Sequence, residues 1–183
     1  METIPDDLDS LLIMARVALL DDYQGVALGM ADWKSLPPGT EVVAFPDHLD
    51  DEGALAWRLA DFDIVMAMRE RTPFPRTLLE RLPKLKLLIT AGMRNASIDM
   101  KAAAERGVLV CGTAGLPYPT AELAWGLILG LMRRVPTEDP ATRVGRWQTS
   151  LGLGLSGKTL GVLGLGTLGS RVAKVGRAFE MEV

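Results

Sequence analysis

The chain has one cysteine, one histidine and few aromatics, which make up 5% of its residues. Each shortage closes a class of function. With Cys111 alone there is no internal disulfide and no multi-cysteine metal site, which suits a reducing compartment. With His48 alone, His-rich metal sites are excluded, and no metal site is expected. The longest strongly apolar stretch, Leu123 to Met132, is flanked by Glu122 and Arg133 and falls far below the ~20 residues of a membrane helix. The N-terminus carries Glu2, Asp6, Asp7 and Asp9 and no early Lys or Arg, the reverse of a secretory leader. A cytoplasmic location is the expectation. Charge of one sign is lacking too. Twenty Lys+Arg against 23 Asp+Glu leave a formal net charge of -3, so neither nucleic acid nor an anionic membrane is an expected partner.

What is present is a chain of 183 residues, 48% of them hydrophobic, long for one domain and short for two at ~150 residues each. Residues 1–14 are set apart, either as an extension in front of a native start at Met14 or as an arm of the protein. From Arg16 to Gly112 short apolar runs alternate with amphipathic ones. The runs Val17–Leu20, Glu41–Phe45, Asp63–Met68, Leu85–Thr90 and Val108–Cys111 have strand length, and most are apolar on consecutive residues, as parallel strands covered on both faces require. Between them, Gln24–Leu36, Asp51–Ala60, Pro75–Leu82 and Asp99–Arg106 are expected helices, stopped by Pro37-Pro38-Gly39, Pro83 or Gly107. Such alternation predicts a doubly wound parallel α/β sheet. Thr120–Arg134 is expected to be one long helix with Thr120 as N-cap and Pro136 as its stop. Its apolar residues circle most of the cylinder, so burial on more than one side is expected. A short helix around Ala141–Trp147 follows, then a strand Thr159–Leu163, a glycine turn, a helix to about Glu180 and the start of another strand at Met181-Glu182-Val183.

The turn reads Gly164-x-Gly166-x-x-Gly169, directly after an apolar strand and opening a helix. In that setting the first glycine permits the tight bend and the second lets backbone amides approach a pyrophosphate. The third lets helix and strand pack closely. Thr167 and Leu168 lie inside the turn, and the positive end of the helix faces the phosphates. A tight packing turn with no ligand is the plainer alternative. Leu168, Val172, Val175 and Phe179 share one helix face.

Four segments together resemble the D-isomer-specific 2-hydroxyacid dehydrogenases: Ile89 to Asp99 (Ile-Thr-Ala-Gly-Met-Arg-Asn-Ala-Ser-Ile-Asp), Gly107 to Thr113, Thr120 to Trp125, and Gly157 to Gly166 with its helix. The resemblance implies a flavodoxin-like substrate domain over residues 15–115. Residues 116–183 would then hold an interdomain helix and the first strand–helix unit of a Rossmann NAD-binding domain, with the active site between the domains. It implies that the loop Ala91-Gly92-Met93-Arg94 offers backbone N–H groups to a substrate carboxylate, which suits an anion beyond a strand's C-terminal end. A strand-to-helix turn that needs Gly92 for its backbone angles is the alternative. Arg69 matches a substrate-facing position, or is a solvated surface arginine. Thr120 resembles a cofactor-contacting position, a role that can coexist with an N-cap.

The implied activity is hydride transfer between NAD or NADP and a small 2-hydroxy or 2-keto acid, with the chain pairing as a homodimer through the 120–134 helix. Such chemistry needs a proton donor of near-neutral pKa and a cation beside the substrate. In the family these are an arginine, a carboxylate and a histidine of the later Rossmann domain, and none maps onto this chain, so no catalytic residue is assigned. His48, in an acidic loop, reads as solvated, and Cys111 as a buried small side chain. With one Rossmann strand complete, Leu160, Val162 and Leu163 are expected to keep unpaired edges and open faces. That pattern fits a truncated chain, a sixth strand added to the first sheet, or cover by a second subunit. Truncation is the leading expectation, with cofactor binding weak or absent and no turnover alone. A non-enzymatic dimerisation module and a small single-domain nucleotide-binding protein are the alternatives.

Overall fold

A computed structural model describes residues 14–183; the N-terminal arm expected over 1–14 lies outside it but for Met14. The described residues divide into two compact units, the first ending at Gly115 and the second spanning Leu116–Val183.

The first unit is built on five parallel strands, β1 (Arg16–Leu19), β2 (Glu41–Ala44), β3 (Ile64–Ala67), β4 (Leu87–Thr90) and β5 (Leu109–Gly112), in the order β2-β1-β3-β4-β5. That order is the flavodoxin-like one, with its direction of winding reversed between β1 and β3. Helices α1 (Glu52–Leu59), α2 (Arg76–Leu79) and α3 (Met100–Glu105) make the crossovers between the parallel strands that follow β2, β3 and β4. Asp51 caps α1 through the Ala54 amide at 2.7 Å, and Asp99 caps α3 through the Ala102 amide at 2.8 Å. The three helices press Leu55, Leu59, Leu78, Leu79, Leu82 and Ala102 onto Ala18, Val65, Ala67 and Leu88, a core with little or no exposure. On the opposite face Val17, Leu19, Ile64 and Leu87 form a second, thinner cluster.

The expected helix over Gln24–Leu36 is replaced by two 3-10 turns, Ala27–Gly29 and Trp33–Ser35. Local polar groups win there. Asp22 accepts from the amides of Val26 and Ala27 at 3.0 and 3.1 Å, Gly25 takes φ +64°, and Asp32 accepts from the Lys34 amide at 3.2 Å. The second face is therefore covered by Ala27 and Trp33 rather than by a full helix.

The second unit holds α4 (Pro119–Met132), α5 (Val135–Arg143) and α6 (Thr167–Ala178). Thr120 is not the N-cap of α4. Tyr118 holds that place without a side-chain bond, and Pro119 opens the helix. Nor does Pro136 end α4: Arg133 closes it, Arg134 turns left-handed at φ +54°, and Pro136 sits in the first turn of α5, where its missing N–H costs nothing. The helix expected at Ala141–Trp147 thus lies earlier, at Val135–Arg143.

Thr159–Leu163 forms no strand. A single parallel bridge joins Thr159 to Glu182, with Leu160 N–H donating to Glu182 O at 2.7 Å and Glu182 N–H to Lys158 O at 3.0 Å. Beyond that bridge no backbone among the described residues is in register with it, and Leu163 is fully exposed. The segment adds no sixth strand to the first sheet, so the compact single-domain alternative is set aside. Burial on α6 falls on Ala173 and Gly176 rather than on the larger apolar residues, because Trp125 of α4 lies against this helix. Its indole donates to Val172 O at 3.2 Å and its ring meets Phe179 at 5.2 Å. On α4 itself, Ala121 and Trp125 are buried, while Leu123, Leu127 and Leu131 are 64%, 65% and 76% exposed. Burial on several sides, expected from the sequence, is not found among the described residues.

Candidate functional site

In the first unit the polar residues gather at the C-terminal edge of the sheet, where a parallel α/β sheet presents its ligand site. At the end of β4 the Ala91 amide continues the sheet, donating to Ala67 O at 3.0 Å. Gly92 then turns at φ +101°, which favours glycine, and its amide donates to Thr113 Oγ1 at 3.2 Å. Among the described residues the amides of Met93 and Arg94 meet no acceptor, and the exposed Arg94 guanidinium has no ion-pair partner. Of the four residues expected to offer N–H groups, two have them committed and two have them open.

Arg69 stands beside this loop, left-handed at φ +55°. A Cβ at position 92 would lie 3.0 Å from Arg69 Nη1, which a flexible guanidinium can relieve, so it is the backbone angle that requires Gly92. The Arg69 side chain is 63% exposed and 3.6 Å from Glu70. Arg69 and residues 91–94 are thus brought together. Of these, Met93 and Arg94 line a cleft of about 410 Å³, together with Thr90, Asn95, Met100 and Val110 among others.

Three supports of this loop were not singled out in the sequence. Asn95 Nδ2 bridges Arg69 O at 2.6 Å and Thr90 Oγ1 at 3.0 Å, and its Oδ1 accepts from Ser97. Gly112 lets β5 pass under the loop, since a Cβ there would come within 2.7 Å of Gly92 O. Thr113 holds the Gly92 amide. The doublet Gly112-Thr113 at a strand end was a legible signal; the Asn95 bridge was not, because its partner Arg69 lies 26 residues away.

His48 is not a solvated side chain. Its Nδ1 is 2.7 Å from Oδ1 of Asp21, a carboxylate with 1% of its side chain exposed, and its Nε2 is 3.3 Å from Asp50. The hydrogen bond to Asp21 holds the imidazole pKa above its ordinary value, against the opposing effect of burial. Thr72 donates to the other Asp21 oxygen at 2.8 Å. Cys111 is partly buried, among the side chains of the second cluster.

In the second unit Gly164 bends at φ +88°, and Gly166 caps α6 with no side-chain bond to its first amides. A Cβ at Gly169 would collide with the Gly164 carbonyl, whereas one at Gly166 would meet nothing within 4 Å. One glycine is needed for packing, and the other leaves open space above unpaired helix amides at Thr167 and Leu168. That arrangement fits the pyrophosphate of a dinucleotide. Thr120 lies exposed in the first turn of α4. No described helix is long and apolar enough to cross a membrane.

Residues 125–183 match the family described as D-isomer specific 2-hydroxyacid dehydrogenase, NAD binding domain. Over 116 residues the chain is 40% identical to a glyoxylate reductase of Aeropyrum pernix, covering 58% of this chain and 35% of that protein. Over 129 residues it is 36% identical to a D-3-phosphoglycerate dehydrogenase of Methanocaldococcus jannaschii, covering 69% of this chain and 24% of that one. A phosphoglycerate oxidoreductase of Vibrio cholerae superposes with a TM-score of 0.82 at 40% identity, over 91% of this chain and 54% of its own. The chain therefore spans about a third or less of these two curated relatives and about half of the solved one.

Proposed function

We propose, from the premise that this chain belongs to the D-isomer-specific 2-hydroxyacid dehydrogenase family, that it binds a small 2-hydroxy or 2-keto acid and a nicotinamide dinucleotide. The substrate carboxylate is held by the open amides of Met93 and Arg94, with Arg69 and Arg94 as the nearby cations. Successive backbone donors suit a carboxylate, and Gly92 allows the close approach. The dinucleotide, NAD or NADP, lies on the glycine turn, with Gly164, Gly166, Thr167, Leu168 and Gly169 around its pyrophosphate and Thr120 as a further contact. When bound, it supplies the hydride. The observation that carries this reading is the contrast between Gly169, closed by packing, and Gly166, open.

No proton donor is assigned to this chain. His48, its one imidazole, is engaged by Asp21 and Asp50. The chain alone is expected to bind ligands weakly and not to turn over. The exposed leucine stripe of α4 supports a second element of the proposal, pairing with another copy of the chain through the 120–134 helix.

NADH fluorescence titration of the chain and of Gly166→Val tests the cofactor site. A Cβ there meets nothing within 4 Å, so the fold should persist while NADH binding falls at least about tenfold. Equal binding by both proteins contradicts the assignment, and oxidation of NADH with glyoxylate by the chain alone contradicts the absence of a proton donor.

A further inference from the structure

We propose that Asp21 and His48 are positioning residues for Arg69, holding the turn that presents its guanidinium to a carboxylate ligand; this rests on the assignment of the Gly92 loop as a carboxylate site. In a sheet of this order the winding reverses between β1 and β3, and the crevice beyond their C-terminal ends is where ligands usually enter. Here that point is filled by side chains of the protein itself. Asp21 leaves β1 left-handed, at φ +59°, and is 2% exposed. Its Oδ1 accepts from His48 Nδ1 at 2.7 Å and its Oδ2 from Thr72 Oγ1 at 2.8 Å, with the Tyr23 hydroxyl farther off at 3.4 Å. Its carbonyl accepts from Arg71 Nη1 at 3.3 Å, and the Arg71 guanidinium lies over the Tyr23 ring at 4.7 Å. A buried carboxylate is costly unless donors surround it, and these donors come from the segments following β1, β2 and β3.

Thr72 and Arg71 form the outgoing end of the turn that carries Arg69. The turn is closed by the Arg71 amide on Met68 O at 3.3 Å, and on its other side Asn95 grips Arg69 O at 2.6 Å. A left-handed arginine persists where its surroundings over-determine it, and here two anchors do so. One anchor, Asn95, belongs to the Gly92 loop. The other, through Thr72 and Arg71, is Asp21 with His48 as its counter-ion. Position and charge at the two ends of the turn are thereby coupled.

The charged and titratable groups around His48 are Asp21 at the end of β1, Asp47 and Asp50 on its own loop, Tyr23, Arg71 after β3, and Glu52 of α1. Asp21, then Asp50, raise its pKa. A raised folded pKa means that the stabilisation is complete below the unfolded value of about 6.5 and is lost as pH rises through the folded value. Neutral imidazole keeps an Nδ1–H for Asp21 but no longer neutralises it, so the clamp on Thr72 and Arg71 weakens and Arg69 is held less firmly.

Oxalate, ionised at both ends over the range used, is the probe. Calorimetric titration of the full chain should show its affinity falling about three- to tenfold between about pH 6 and about pH 8.5. His48→Gln keeps an amide donor for Asp21 but does not titrate, so its affinity should stay flat. With one histidine in the chain, its titration in NMR spectra is unambiguous. The amides of Arg69 and Asn95 should shift with the His48 midpoint, and Asp21→Asn should lower that midpoint. Equal pH slopes in wild type and His48→Gln, or amides at Arg69 and Asn95 that ignore the histidine, overturn the proposal. Should a substituted protein fail to fold, the wild-type amide titration decides the matter alone. No oxalate binding at any pH, with amides still following His48, overturns the carboxylate site and leaves the clamp standing.

Discussion

Gly112 decides whether the loop after β4 can exist in its observed form. The neighbours a side chain would strike there are backbone atoms, Gly92 O at 2.7 Å and Met93 Cα at 2.9 Å, which cannot swing aside as a flexible side chain can. Gly112→Ala should therefore displace the loop or destabilise the first unit by about 1–3 kcal/mol, read from the urea midpoint at unchanged slope. An unaltered midpoint together with unaltered oxalate binding contradicts the close approach. At this scale the sequence was partly legible. Gly92 and Arg69 could be named because they sit at positions that the resemblance to the dehydrogenases implies for the substrate, each just past the end of an expected strand. Asp21 and His48 could not be paired, because 27 residues separate them and an acidic loop reads as solvated until its fold is known. The burial of Asp21 is a property of the β1–β3 junction, not of its sequence neighbours.

Elements were legible where apolar periodicity and caps agreed. β2, β3, β4, α1, α2 and α3 fall within their expected ranges and β1 and β5 are offset by one residue, because consecutive apolar residues mark covered parallel strands and Asp51 and Asp99 mark helix starts. The segment 24–36 failed because helical composition was outbid by Asp22 and Asp32 bonding to nearby amides. The strand at 159–163 failed for the opposite reason. Its composition suits a strand, but a strand exists through its partners, and among the described residues it has one bridge, to Glu182. Helix α4 carries an unpartnered stripe, Leu123, Leu127 and Leu131 at four-residue intervals. If that stripe pairs with a second copy, Leu127→Glu at its centre should convert a dimer to a monomer in sedimentation, with helix content unchanged. A monomeric wild type contradicts the pairing.

Across the molecule, the proposal gives each unit one ligand surface, made by the end of a parallel segment and the open amides beyond it. In the first, the sheet edge gathers Arg69 and the loop 91–94. In the second, the turn 164–169 leads into α6. On the proposed reading both would use backbone N–H groups as anion donors, with glycine admitting the ligand or the bend. The most direct test of this account is amide mapping of the full, nitrogen-labelled chain titrated with oxalate. The account predicts that the largest shifts fall on Met93 and Arg94 and smaller ones on Arg69, with residues 164–169 unmoved. Shifts absent from residues 91–94, or strongest on α4 and α6, would contradict it.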